Sequence, residues 1–126
     1  MFTSGSAMNN NVIETSWGYE LVWARANSYC GKLLYFSQPG GSTNMVFHKE
    51  KDKCWFVNSG QFMLKYIDTA TGELHETVIK EGDARNITPL SPHQLIALQP
   101  NSVIFETGTI DDPADIFYIS RPNIQL

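Results

Sequence analysis

Two histidines stand in separate segments whose composition suits β-strands. His48 lies in GGSTNMVFHKEKDKCWFVNSG (Gly40 to Gly60) and His93 in EGDARNITPLSPHQLIAL (Glu81 to Leu98). Each follows a glycine-containing turn and precedes an apolar, β-rich run. Folded face to face in a small barrel, the two segments would bring both imidazoles into one cavity, and neutral imidazole is a common metal ligand. Residues i and i+2 of a strand share a face, so Glu50 is expected to point inward with His48. His48, Glu50 and His93 would then form a two-histidine, one-carboxylate set that suits Fe(II) and other first-row divalent ions. Lys53 works against that set. An ammonium in a low-dielectric cavity repels a metal cation, and it can pair with Glu50 instead. The residues therefore leave two chemistries open: a metal centre, or a metal-free cavity with hydrogen-bonded histidines.

Other candidates are secondary. Met45, Phe47 and Phe62, with Tyr66 and Gln94, form a candidate ligand pocket on strand alternation. Trp17 and Trp23 are expected at the core or at a dimer interface, Trp17 also as a stacking platform. Cys54 beside Lys53 is a conceivable nucleophile, but its place next to Trp55 in a strand argues for burial. No glycine-rich phosphate loop is present.

The elements that must position these residues are strands. Short runs rich in Val, Ile, Tyr, Phe, Trp and Thr recur between Gly, Pro, Asn and Asp, and helical periodicity is nearly absent. Strands are expected near 19–24, 32–37, 43–48, 54–58, 61–68, 74–80, 84–87, 93–98, 103–109 and 116–119. Thr69-Ala70-Thr71-Gly72 reads as a hairpin loop. Asp112-Pro113 resembles the start of one helical turn. Ten short strands with regular turn signals predict a sandwich or barrel.

Composition bounds the function. The chain has 126 residues, enough for one domain with its own core. A net charge of −4 argues against a nucleic-acid partner held through phosphates. No apolar run reaches the roughly 20 residues that span a bilayer. Two cysteines without CxxC spacing fit reduced thiols in a cytoplasmic protein. Residues 1–15 read as a flexible leader, with one domain over 16–126.

In order and spacing, the motifs resemble the cupin superfamily. Pro39-Gly40, His48 and Gly60 match its first motif, and Gly82-Asp83, Pro89, Pro92 and His93 its second. Closer similarity is to the cupin domain of type II mannose-6-phosphate isomerases. It rests on Trp17-Gly18-Tyr19-Glu20, Gly31-Lys32, Trp55 to Gly60, and Phe105 to Thr109 followed by Asp115-Ile116. The resemblance implies an all-β cupin jelly-roll barrel (double-stranded β-helix) over about Ser16 to Ile119. It further implies a homodimer, a small polar or carbohydrate ligand such as a sugar phosphate, and a divalent metal (Fe, Mn, Ni or Zn). The chain departs from the pattern at the chemistry. Glu50 stands for the second histidine, Lys53 for the ligand glutamate and Tyr118 for the late arginine, while Leu90 replaces a glycine and Ala97 an asparagine. Glu50, Lys53 and Tyr118 are the candidate catalytic residues. Three functions follow as expectations: a metal-dependent isomerase or epimerase, a metal-free binding module, or an Fe(II) oxygenase.

Overall fold

A computed structural model describes residues 11–120. Eleven strands form in chain order: β1 (Val12–Glu14), β2 (Gly18–Arg25), β3 (Cys30–Phe36), β4 (Met45–Phe47), β5 (Lys53–Ser59), β6 (Gln61–Asp68), β7 (Glu73–Lys80), β8 (Ala84–Ile87), β9 (His93–Ala97), β10 (Ser102–Gly108) and β11 (Phe117–Ser120). They make two antiparallel sheets, ordered β1-β2-β3-β10-β5-β8 and β11-β4-β9-β6-β7. The result is an all-β jelly-roll barrel. No helix among the described residues is long and apolar enough to cross a membrane.

Most expected strands appear within a residue or two of their bounds. Three differences have physical causes. The first ten residues of the 1–15 segment read as a leader lie outside the described residues, but Val12–Glu14 forms β1 by pairing with Leu21, Glu20 and Tyr19 of β2. Three exposed residues on a sheet edge carry too little periodicity to register as a strand. The turn at Asp112 is a single hydrogen-bonded turn and not a helix: Asp112 Oδ1 accepts from Ala114 N, and its carbonyl accepts from Asp115 N. The strand expected over 43–48 is shorter, ending at Phe47.

Alternation explains how one barrel serves two purposes. The same inward phase on four strands reads Lys32–Leu34–Phe36, Lys53–Trp55–Val57, His93–Leu95–Ala97 and, in reverse, Glu106–Ile104–Ser102. Antiparallel register puts Glu106 opposite Lys32 and Ser102 opposite Phe36. One end of the barrel is therefore apolar, filled by Phe36, Val57, Phe62, Leu64 and Ile104, all nearly fully buried. The other end is charged. Burying a side chain such as Phe62 contributes about 1.5–3 kcal/mol, and this apolar end holds the sheets together while the charged end stays hollow.

Candidate functional site

The hollow end is a cavity of about 380 Å³, within the usual size range for small-ligand sites. His48, Lys53, Trp55, His93 and Glu106 line it. The two imidazoles face each other with ring centroids 5.7 Å apart. His48 Nδ1 lies 2.7 Å from the Asp115 carbonyl and His93 Nδ1 2.8 Å from the Ser91 carbonyl. A carbonyl can only accept, so both rings carry their proton on Nδ1. Each Nε2 then offers a lone pair, and that of His93 is buried without a hydrogen-bond partner.

Lys53 reaches into the same space. Its Nζ lies 3.5 Å from His48 Nε2 and 3.5 Å from Glu106 Oε1, and 5.2 Å from the centroid of the Trp55 ring. Trp55 Nε1 donates to Glu106 Oε1 at 2.8 Å, which fixes the carboxylate. Burial, and then the Lys53 charge, hold the His48 pKa below its ordinary value. The same two causes push His93 down to about 3. Both rings are therefore neutral near pH 7. Burial likewise lowers the Lys53 pKa, with Lys51 and Lys32 adding to it and Glu106 opposing. For Glu106 burial acts upward, but Lys53, Lys32 and the indole N–H outweigh it and the carboxyl stays ionised.

A second cluster of charges lines the same cavity. Lys32 Nζ contacts Asp111 Oδ2 at 2.6 Å and Glu20 Oε1 at 3.2 Å. Lys51 Nζ contacts Asp111 Oδ1 at 2.9 Å and the Thr109 carbonyl at 2.7 Å. Burial alone would raise the Asp111 pKa, yet the hydrogen bonds from Lys32 and Lys51 hold it down to about 2.

The structure brings together His48, His93 and Lys53 of the residues singled out by sequence, and Tyr118 also lines the cavity. It does not bring Glu50 there. Because β4 ends at Phe47, alternation does not carry through to residue 50. Glu50 is exposed in a bend, where its backbone N–H donates to Asp115 Oδ2 at 3.0 Å. Lys49 and Lys51 donate to the same carboxylate at 2.7 and 3.0 Å, so Asp115 shapes the bend that carries His48. The expected pair of Lys53 with Glu50 is instead a pair with Glu106. Met45, Phe47, Phe62, Tyr66 and Gln94 lie off the cavity. The cavity phase of β4 is Val46 and His48, so Met45 and Phe47 take the opposite face, where Phe47 stacks on Phe117. Phe62 is core, Tyr66 stacks on His75, and Gln94 Nε2 is engaged by Ser42 Oγ and the Thr43 carbonyl. Trp17 stacks on Phe36 and lines the cavity, while Trp23 is exposed over Gly31.

Sequence reasoning passed over Glu106, Lys32, Lys51 and Asp111. Glu106 and Lys32 did carry a signal: each is a charge on the inward phase of an otherwise apolar strand. Lys51 and Asp111 lie in irregular segments where alternation says nothing.

A divalent metal does not fit this donor set. Among the described residues, no three or more His, Cys, Asp or Glu side chains are placed to hold an ion together. The Lys53 ammonium, moreover, stands between His48 and Glu106, where it would repel a dication at short range.

No family model matches the chain, and no curated protein matches it by sequence. Solved structures do match by fold. KdgF from a Halomonas species aligns with a TM-score of 0.60 at 18% identity, over 76% of this chain and 81% of that one. Oxalate decarboxylase from Bacillus subtilis gives 0.76 at 12% identity, over 89% of this chain and 31% of that one. The capsular polysaccharide assembling protein CapF from Staphylococcus aureus gives 0.75 at 14% identity, over 87% and 32%. The chain thus spans about a third of the last two proteins and most of the first. All three are cupin-fold proteins, and at these identities the likeness is one of fold.

Proposed function

We propose that this chain, a cupin jelly roll, binds a small polar or carbohydrate ligand in its barrel with a lysine ammonium in place of a metal ion. One observation carries the reading: Lys53 Nζ sits between His48 Nε2 and Glu106 Oε1. The ammonium supplies a positive charge and N–H donors, and Glu106 balances that charge inside the barrel. The two neutral imidazoles offer acceptors on one side. Trp17 and Trp55 offer apolar faces on another, a mixture that suits a hydroxylated ligand. CapF's description ties a protein of this fold to polysaccharide assembly, which favours a carbohydrate. Two free thiols, Cys30 and Cys54, agree with a cytoplasmic site of action.

A second reading, a sugar isomerase or epimerase, is favoured by the depressed Lys53 pKa beside an ionised Glu106. A buried amine that gives up its proton easily can move one between carbons or oxygens of a bound sugar. On this reading Lys53 is the catalytic group, Tyr118 lines the ligand's entrance, and Glu50 has no part.

Elemental analysis of the purified protein, before and after dialysis against Zn²⁺ or Mn²⁺, tests the principal reading. It expects far less than one equivalent of retained metal, and retention close to one equivalent in Lys53→Glu. Stoichiometric metal in the unaltered protein that disappears in His93→Ala would overturn it. Turnover of a hexose or pentose phosphate that Lys53→Met abolishes would favour the second reading.

A further inference from the structure

We infer that the ligand of this cavity carries a single carboxylate, and that Asp111 occupies the place of that carboxylate until the ligand displaces it. The inference rests on the reading above that the barrel holds a small polar ligand, and it adds the ligand's class.

The argument begins with charge. Three lysines, Lys32, Lys51 and Lys53, project into the cavity. Three carboxylates answer them: Glu106 pairs with Lys53, Glu20 with Lys32, and Asp111 bridges Lys32 and Lys51. Two more carboxylates line the wall but are engaged elsewhere. Asp115 accepts three backbone N–H groups, and Asp112 accepts from Ala114 N. Removing Asp111 would leave the two ammoniums of Lys32 and Lys51 with Glu20 as their one carboxylate partner, a local excess of one positive charge at that pair. A monocarboxylate restores the balance at that pair, whereas a phosphate dianion overshoots it.

The three carboxylates differ in how they are held. Glu106 is deeply buried, and Glu20 projects from the middle of β2. Asp111 belongs to the irregular segment between β10 and β11, and its side chain is 40% exposed. That segment is anchored on both sides of Asp111. Thr109 N donates to the Asp52 carbonyl and Thr109 Oγ1 accepts from Asp52 N, while Asp112 closes its own turn on Ala114 and Asp115. The carboxylate can therefore swing outward without unfolding a strand. The lysines it would leave behind stay in place. Lys51's side chain is only 4% exposed and is tied to the Thr109 carbonyl, and Lys32 is tied to Glu20.

An independent observation points to a ligand in the same cavity. His93 is 4% exposed, and its Nε2 has no hydrogen-bond partner. A buried acceptor left unmade is costly, and a hydroxyl donor on the ligand would satisfy it. The ligand would then bear a hydroxyl for His93 and a carboxylate for Lys32 and Lys51, which is the chemistry of a sugar acid.

Titration calorimetry of the whole chain with gluconate, sorbitol and glucose 6-phosphate tests this, with circular dichroism confirming that each variant is folded. Gluconate is expected to bind at least about tenfold more tightly than sorbitol. Asp111→Asn is expected to tighten gluconate by about tenfold and leave sorbitol unchanged, and Lys51→Met to abolish the preference. If sorbitol binds as well as gluconate and Asp111→Asn changes neither, the carboxylate inference falls while the ligand reading stands. Tighter binding of glucose 6-phosphate than of gluconate overturns the single-charge argument. If none of the three binds to either the unaltered chain or Asp111→Asn, the ligand reading itself falls.

Discussion

The two ends of the barrel are built on the same strands and by the same alternation, yet they obey different energetics. At the apolar end Phe36, Phe62, Val57 and Ile104 are nearly fully buried, and Phe36 meets Phe62 edge-on with ring centroids 5.0 Å apart. These apolar side chains gain by leaving water. At the charged end the inward side chains are His48, Lys53, His93, Lys32 and Glu106, and each loses hydration on burial. Only mutual pairing makes the second arrangement tolerable, and the pairing is incomplete at His93 Nε2. The difference teaches which end carries stability and which carries binding. A side chain can be truncated at the packed end only at the expense of the fold, and at the charged end it can be replaced with little harm only where no buried charge is left unpaired, as at His93.

Phe62→Ala draws that contrast most sharply. It removes a fully buried ring from the packed end, and about 3–5 kcal/mol of stability should go with it. Denaturant unfolding measures the loss. His93→Leu at the charged end should leave stability near pH 7 within about 1 kcal/mol, because it removes an unpartnered buried acceptor together with one hydrogen bond. Equal losses in the two variants would erase the distinction between the ends.

Acid should act on the charged end alone. The His93 pKa is about 3 in the folded chain against an ordinary value of 6.5. Between those values the unfolded chain binds more protons, so stability rises with pH across that window and is lost as pH falls from 6.5 toward 3. By about pH 5 the share of His93 amounts to roughly 2 kcal/mol relative to neutrality. Unfolding free energies at the two pH values should differ by that amount in the unaltered protein. In His93→Leu most of the difference should vanish, leaving the part that His48 contributes. An undiminished acid dependence in His93→Leu would place its origin elsewhere.

The packed end could be read from the sequence because alternation within a strand is a local signal. Leu34 and Phe36, or Trp55 and Val57, declare their shared face two residues apart. The histidine pair was legible for the same reason at His93, which begins β9, and through the family resemblance at His48. Glu50 shows where that logic stops. It needs a strand to alternate along, and β4 gives out at Phe47 because the Asp115 carboxylate gathers the N–H groups of Lys49, Glu50 and Lys51 into a bend. Asp115 is more than sixty residues away in sequence, so nothing near Glu50 announces the bend. The Lys53–Glu106 pair was hidden in the same way. The sequence put a cation near the histidines, but which carboxylate would answer it depended on the pairing of β5 with β10.

The turns at the two ends extend the contrast to the backbone, and the smallest expected effect is at Leu90. Both ends have a residue in the left-handed region: Gly60 at φ 79°, closing β5 onto β6 at the packed end, and Leu90 at φ 65°, just before β9 at the charged end. At Gly60 a Cβ would come within 2.0 Å of Ser102 Oγ, so glycine is required there and Gly60→Ala should destabilise. Leu90 stands where the resembled family has glycine, and it keeps the glycine-like conformation although a Cβ makes that conformation cost about 1–2 kcal/mol. Leu90 is 56% exposed, so burial returns little in compensation. What the turn does secure is the histidine: Leu90 N donates to the His48 carbonyl at 2.7 Å. Leu90→Gly should therefore raise stability by about 1 kcal/mol, the relief of strain exceeding the extra chain entropy of glycine. Thermal unfolding would register it as a higher Tm, with ligand affinity unchanged because the N–H is still present. A fall in Tm would mean that the Leu90 side chain stabilises the charged end by packing, and the two ends would then differ less than their inward rows suggest.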